Sequence, residues 1–414
     1  MSVFLQKRFL DGLFLPSSII GRRQQVEELL QYLESLRQGF AVPLISVYGR
    51  SGSGKSTLVK FVCKNIEDLA CFAFANLRKA KTVFGCANLI LSELDVASLK
   101  SADGINKAID CIGNTISEKL KSKRKKFMVL VLDEYDVIFS DKRGNPSEFM
   151  YKLLTLAEEL REKDLWLCII TISNNTLSEY DLDDRIKSRM GNSEVFFPPY
   201  SQGDILQILK DRSQKAFAKK IGDDVLQYCS ELSCAEHGDT RRALDLLRVS
   251  GELCDGQKIT KENIDAAYAK LQKDRLENIV TNSSSHQRIL IGAICSNMLD
   301  SDSGWSATSS IYETHRGLLQ KTKPLSYRRV TDLLVELKNS GLLISKTQSR
   351  GRGGYGTEYR LCFSPYRVGQ LVDKEWWNDR VRKIQRIDDA EKLLGTFKPR
   401  ARKRDNNFAL FFKN

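Results

Sequence analysis

Residues 43–57 read PLISVYGRSGSGKST, and this stretch decides the fold. PLISVY has the length and apolar content of a buried strand, and a glycine-rich loop follows at once. Gly49, Gly54, Lys55 and Ser56 fill the pattern G-x-x-x-x-G-K-[ST], with Ser51, Gly52 and Ser53 inside the loop. From Thr57 the run TLVKFVCKN has the apolar spacing of a helix. Each part has a mechanical reason. Glycines let backbone N–H groups wrap the β- and γ-phosphates of a nucleotide, and the helix N-terminus adds its positive dipole end. Lys55 supplies a point charge, and the Ser56 hydroxyl is a ligand for magnesium.

A second buried strand, residues 127–132 (FMVLVL), ends in Asp133-Glu134. So apolar a run belongs inside a parallel sheet, where functional groups gather at the carboxyl ends of strands. Asp133 then stands where magnesium is held through water, and Glu134 where the attacking water is polarised. A helix-capping acidic pair is the plainer alternative. A third strand, residues 165–172 (LWLCIITI), ends in Ser173-Asn174-Asn175. An amide there can hold the lytic water or sense the γ-phosphate, although a lone Asn after a strand is more often a turn residue.

At 414 residues the chain has room for two to four domains. Hydrophobic residues at 42% are enough for real cores, which excludes a wholly disordered chain. No apolar run approaches the ~18 residues of a membrane helix, and the N-terminus lacks a signal-peptide layout. A cytoplasmic, nucleoid-associated protein is expected. Ten scattered cysteines without a C-x-x-C pair suit buried thiols in a reducing cell. His237, His286 and His315 are far apart in sequence, against a zinc site. Charge is lopsided: residues 283–414 carry 24 Lys/Arg against 13 Asp/Glu, while the preceding 282 residues are nearly balanced. A basic block of that kind suggests a polyanion partner such as nucleic acid, with a solvated surface as the bland alternative.

Across residues 12–370 the chain resembles the archaeal origin-recognition and cell-division-cycle initiators, AAA+ ATPases akin to the large subunit of the eukaryotic origin recognition complex. The resemblance implies an α/β phosphate-loop core, an α-helical lid and a C-terminal winged helix-turn-helix. LPSSIIGRRQQVEELLQYL is similar to the segment closing over adenine, matching at Pro16, Ile20, Gly21 and Arg22. In DDRIKSRMGNSEVFFPPYSQGDILQILKDR, Arg189 matches the arginine that reaches a neighbouring subunit's nucleotide, with Arg185 as its competitor. Tyr200 and Arg212 match nucleotide-contacting positions, and Arg241 in GDTRRALDLLR matches the arginine that reaches the γ-phosphate from the lid. A permanently charged, forked guanidinium suits phosphate oxygens, and a surface ion pair is the competing role. Residues 83–119 read as helices, and the resemblance implies an initiator-specific DNA-touching insertion there. KLKSKRKK (119–126) reads as a solvated helix end.

Residues 201–218, 223–237, 239–254 and 260–272 have helical spacing, with caps at Ser201, Asp239 and Thr260. The polar stretch 278–285 reads as a hinge. Three helices (286–298, 306–320, 326–340) and a hairpin (342–347, 358–363) then spell a winged helix. Val330, Leu333, Leu334 and Leu337 make the buried face of the third helix, leaving Tyr327, Arg328, Arg329 and Thr331 for base edges. Arg350 and Arg352 lie among wing glycines, where close approach to DNA is possible. The family's wing commonly carries an arginine after its aromatic; here Gly356, Thr357 and Glu358 follow Tyr355.

The expected division is 1–198 nucleotide-binding domain, 199–277 lid, 283–370 winged helix, and 371–414 basic helix and tail. In that tail Phe408, Phe411 and Phe412 have the spacing of a sliding-clamp-binding peptide, with Asp405 where glutamine is usual. A tail that packs on its own domain or stays disordered is the alternative. The resulting expectation is an ATP-dependent replication initiator that binds ATP/ADP and Mg2+ and double-stranded origin DNA. It helps recruit or load the replicative helicase, alongside paralogous initiator subunits. A nucleotide-switched winged-helix transcription regulator is the second reading. A clamp-loader-like motor, which has no use for the winged helix, is the third.

Overall fold

The structure is a computed structural model. It describes residues 3–80, 82–141, 144–180, 182–186, 193–235, 238–256, 258–299, 301, 303–319, 323–349, 355–373 and 377. Arg189, Arg350, Arg352, Trp376, the basic KPRARKR run and Phe408, Phe411 and Phe412 lie outside the described residues. The chain divides into two compact units, Met1–Ala267 and Tyr268–Asn414.

The first unit is built on a parallel sheet of β1 (Leu44–Gly49), β2 (Ala70–Asn76), β3 (Phe127–Asp133), β4 (Trp166–Ser173) and β5 (Glu194–Phe197), ordered β2-β3-β4-β1-β5. Strand β3 shows why its sequence is apolar throughout. Met128, Leu130 and Leu132 enter one core, Val129 and Val131 the other, so both faces are covered. Helices α1 (Arg23–Glu34) and α2 (Lys55–Asn65) pack on the second face, and α3 (Val83–Glu93), α4 (Gly104–Ser122) and α5 (Pro146–Glu162) on the first. Residues 121–124 and Lys126 of the 119–126 run are exposed, as expected of a solvated helix end, while Lys125 is half-buried. Lys126 pairs with Asp164, and Lys125 donates to the Glu67 carbonyl and, at 3.1 Å, to that of Ala70.

Four further helices follow: α6 (Gln202–Ala216), α7 (Asp223–Ala235), α8 (Thr240–Leu253) and α9 (Lys261–Thr281). Ser201 and Asp204 form a reciprocal capping box on α6, and Asp239 caps α8 by accepting from the Arg241 N–H. The expected hinge is corrected here: residues 278–281 are the last turn of α9. Val280 and Leu276 are buried in the core of the second unit, and that burial outweighs the polar residues around them.

The second unit holds α10 (Ser285–Leu299), β6 (Ser306–Ala307), α11 (Thr308–Leu318), α12 (Tyr327–Asn339), β7 (Leu343–Ser349), β8 (Tyr355–Leu361) and α13 (Pro365–Val372). Its antiparallel sheet runs β6-β8-β7. Ser306 begins a strand, not the helix expected there, because Ser306 and Ala307 pair with Tyr359 and Glu358. Val330, Leu333, Leu334 and Leu337 are all buried, as their spacing required. Leu334→Ala is expected to destabilise this unit by about 2–5 kcal/mol. Calorimetry should show its transition fall while ATP affinity holds.

Seven cysteines are buried and three partly so, all of them free. His286 and His315 meet, their ring nitrogens 3.5 Å apart, but no group of three or more potential ligands converges among the described residues. No described helix is long and apolar enough to cross a membrane.

Candidate functional site

The strand order sets the site. β1, β3 and β4 are neighbours in a parallel sheet, so the phosphate loop, Asp133 and Asn174 all leave it at one edge. There a cleft of about 330 Å3 is lined by Ser51, Gly52, Gly54, Lys55, Ser56, Asp133, Glu134, Asp136, Ile172, Ser173, Asn174 and Arg241. Gly52 and Gly54 adopt φ of 77° and 90°, left-handed values that side-chain-bearing residues rarely take. A Cβ on Gly54 would also lie 2.5 Å from the Tyr200 hydroxyl.

Lys55 is buried, and its ammonium donates to the carbonyls of Gly49 at 2.5 Å and Arg50 at 2.9 Å. Burial pulls its pKa down to about 8; Asp133 and Glu134 resist that fall and Arg241 adds to it. The Ser56 hydroxyl donates to Asp133 Oδ1 at 3.0 Å. Hydroxyl and carboxylate make an all-oxygen pair beside the phosphate loop, the donor type a hard divalent cation prefers. Glu134 caps the turn after β3 at φ 56°, ψ 42°, again left-handed, and accepts from Arg78 Nη1 at 3.3 Å. Asn174 donates to Asp136 at 2.9 Å.

Asn76 and Arg78 had not been foreseen. Asn76 donates to Asp133 Oδ2 at 3.2 Å. Both arrive from the end of β2, a strand that the sequence reading missed. The signal was there, since ACFAFAN also ends in a polar residue, Asn76.

A second cleft, of about 690 Å3, is lined by Gly12, Phe14, Pro16, Ser18, Ile19 and Ile20 from the N-terminal segment. Ile208, Asp211, Arg212, Thr240, Arg241 and Leu244 from the lid, Tyr200, and Gly52, Gly54 and Thr57 complete it. Arg241 and the glycines belong to both clefts, so the two are continuous. Arg212 is buried and ties the N-terminal segment to α6, its guanidinium donating to the carbonyls of Phe9 at 3.4 Å and Phe14 at 3.3 Å. Arg22 sits differently from a cleft-lining residue. It donates to the carbonyls of Ser53 at 3.0 Å and Pro198 at 2.6 Å, with its guanidinium 3.7 Å from the Tyr200 ring centre. Burial lowers the pKa of both arginines. Arg185 pairs with Asp183 at 2.7 Å and lies over the Tyr151 ring.

In the second unit Ser326 caps α12, and Tyr327, Arg328 and Arg329 are exposed on its first turn. Tyr327 meets Tyr312 edge-on at 5.3 Å. Arg329 lies 3.5 Å from Glu336, whose other oxygen accepts from Gln287 at 3.0 Å. Thr331 is half-buried, its hydroxyl donating to the Tyr327 carbonyl at 3.1 Å. On the open side of the hairpin, Lys346 and Arg360 lie 4.5 and 5.0 Å from the Trp305 ring centre.

Three family models match the chain in succession: an AAA ATPase domain over residues 18–167, a Cdc6 AAA+ ATPase-type lid domain over 206–269, and a CDC6 C-terminal winged helix domain over 278–370. An ORC1-type DNA replication protein of Pyrococcus horikoshii is 31% identical over 412 residues, covering 95% of each chain. The chain belongs to the ORC1-type DNA replication proteins. An ORC1-type protein of Thermococcus kodakarensis is likewise 31% identical, over 89% of this chain and 90% of its own. Among solved structures, the Aeropyrum pernix ORC1 protein in complex with DNA superposes with a TM-score of 0.74. It is 25% identical and covers 91% of this chain and 98% of its own. This ORC1-type protein is therefore an AAA+ ATPase, with a nucleotide-binding core, a lid and a winged helix.

Proposed function

We propose that the protein is an ATP-dependent initiator that binds double-stranded origin DNA and helps bring the replicative helicase to it. The observation carrying this is one cleft lined by Lys55, Ser56, Asp133, Glu134, Asn174 and Arg241, in a chain that also bears a winged helix with exposed arginines. Lys55 and the loop N–H groups would hold the phosphates. Ser56 and Asp133 fit Mg2+, which when bound neutralises phosphate charge. Glu134 would take the proton of the attacking water, Asn174 would position that water, and Arg241 would meet the charge growing on the γ-phosphate. Tyr200, Arg212, Pro16, Ile20 and Thr57 would enclose adenine and ribose, with Arg22 bracing the loop from behind. Hydrolysis on this reading is a slow switch, and Arg189 would act on a neighbouring paralogous subunit.

On DNA, Tyr327, Arg328, Arg329 and Thr331 would enter the major groove while Arg350 and Arg352 follow the backbone. The Aeropyrum pernix ORC1 protein is in complex with DNA, which supports DNA binding by this chain. A nucleoid-associated location in the cytoplasm follows from it. A sliding clamp, met through Phe408, Phe411 and Phe412, is a further candidate partner. For the domains we keep 1–198, 199–277, 283–370 and 371–414 as working boundaries.

Arg328→Ala combined with Arg329→Ala tests the DNA face. Fluorescence anisotropy on origin DNA and on a scrambled duplex should show about 1–3 kcal/mol lost per arginine on origin DNA, with the preference for origin over scrambled sequence reduced. An unchanged preference would remove these residues from base reading.

A further inference from the structure

Thr240 stands where the lid meets the phosphate loop. It is the first residue of α8, and its hydroxyl donates to the Gly52 carbonyl at 2.9 Å, across 188 residues of sequence. The contact is close on both sides. A Cβ on Gly52 would collide with the carboxylate of Asp239, the residue that caps α8 through the Arg241 N–H at 2.9 Å. Lid and loop therefore meet backbone to side chain, with no bulk between them.

Two consequences follow from one hydroxyl. The Gly52–Ser53 peptide is planar and trans, so its carbonyl and the Ser53 N–H point in opposite directions. Holding the carbonyl toward the lid sets the direction of that N–H in the phosphate loop. The residue after Thr240 is Arg241, which lines both clefts, so the same bond fixes where the Arg241 side chain starts.

We propose that Thr240 is a positioning residue that locks the lid onto the phosphate loop, holds Arg241 over the phosphates and slows nucleotide release. This rests on reading the cleft as the nucleotide site. The test is release of a fluorescent ATP analogue from the full-length chain by stopped flow. Thr240→Val keeps the shape and removes the donor, and is expected to release about fivefold faster. Thr240→Ser keeps the donor and should restore release to within about twofold. In an Arg241→Ala background, Thr240→Val should accelerate release less than in the wild type, because only the part acting through the Ser53 N–H remains.

Lys55→Ala separates this inference from the reading beneath it. Analogue binding that survives Lys55→Ala overturns the nucleotide site itself. With binding lost in that control, wild-type release from Thr240→Val overturns the lock alone. An equal Thr240→Val effect with and without Arg241 overturns it too. Thr240→Ala, with the same expected acceleration, takes the place of a valine variant that does not fold.

Discussion

Lys55→Ala is expected to weaken ATP binding by about 100-fold or more. The ammonium is buried against the Gly49 and Arg50 carbonyls, at the base of the phosphate cleft, where an incoming phosphate is poorly screened. Alanine removes both the charge and its donors, and calorimetric titration reads the loss directly. Undiminished affinity, with the fold checked by circular dichroism, would contradict the site.

The same lysine gives the site a pH dependence whose sign can be worked out. Burial pulls Lys55 to about 8, whereas a bound phosphate favours the charged form. Below pH 8 the lysine already carries its proton, and affinity should be nearly flat. As pH rises through 8 the free protein loses that proton and takes it back on binding. Affinity then falls by up to about tenfold per pH unit. Titrations in buffers of different ionisation enthalpy should detect proton uptake above pH 8 and almost none at pH 7.

Glu134→Gln is the second large effect, a fall in hydrolysis of about 10²- to 10⁴-fold with ATP binding retained. The substitution keeps the size of the side chain and a carbonyl oxygen facing Arg78, but removes the proposed base. Phosphate release at saturating ATP measures it. Turnover at the wild-type rate would assign the proton transfer to another group, and Asp136, on the same cleft, would be the first to examine.

Much of this was legible because the informative stretches are local. A phosphate loop needs glycines at fixed offsets between a strand and a helix, and residues 43–65 supply all three in order. The buried face of α12 follows from spacing alone. What escaped was set by long-range partners. Strand β2 reads poorly because alanine has low strand propensity, and its stability comes from pairing residue by residue with β3. Missing it hid Asn76 and Arg78. Residues 278–281 looked like a hinge because polar residues surround Val280, whose burial is decided by a core assembled from distant helices. The resemblance brought Arg22 to attention but could not show that its guanidinium would turn to the backbone of Ser53 and Pro198. Thr240 differs again: nothing in a helix start announces a bond to a glycine 188 residues earlier.

On the proposed function, nucleotide controls binding to a replication origin. The most direct test is a genome-wide pull-down of DNA fragments by the purified protein with ATP, ADP or no nucleotide, at two salt concentrations. Non-specific phosphate binding falls steeply with salt, so the higher concentration isolates specific sites. Salt-resistant, ATP-dependent enrichment at one or a few intergenic repeats is the expected result. Enrichment spread over many promoters, or enrichment indifferent to nucleotide, would contradict it, and the promoter pattern would point to a transcription regulator.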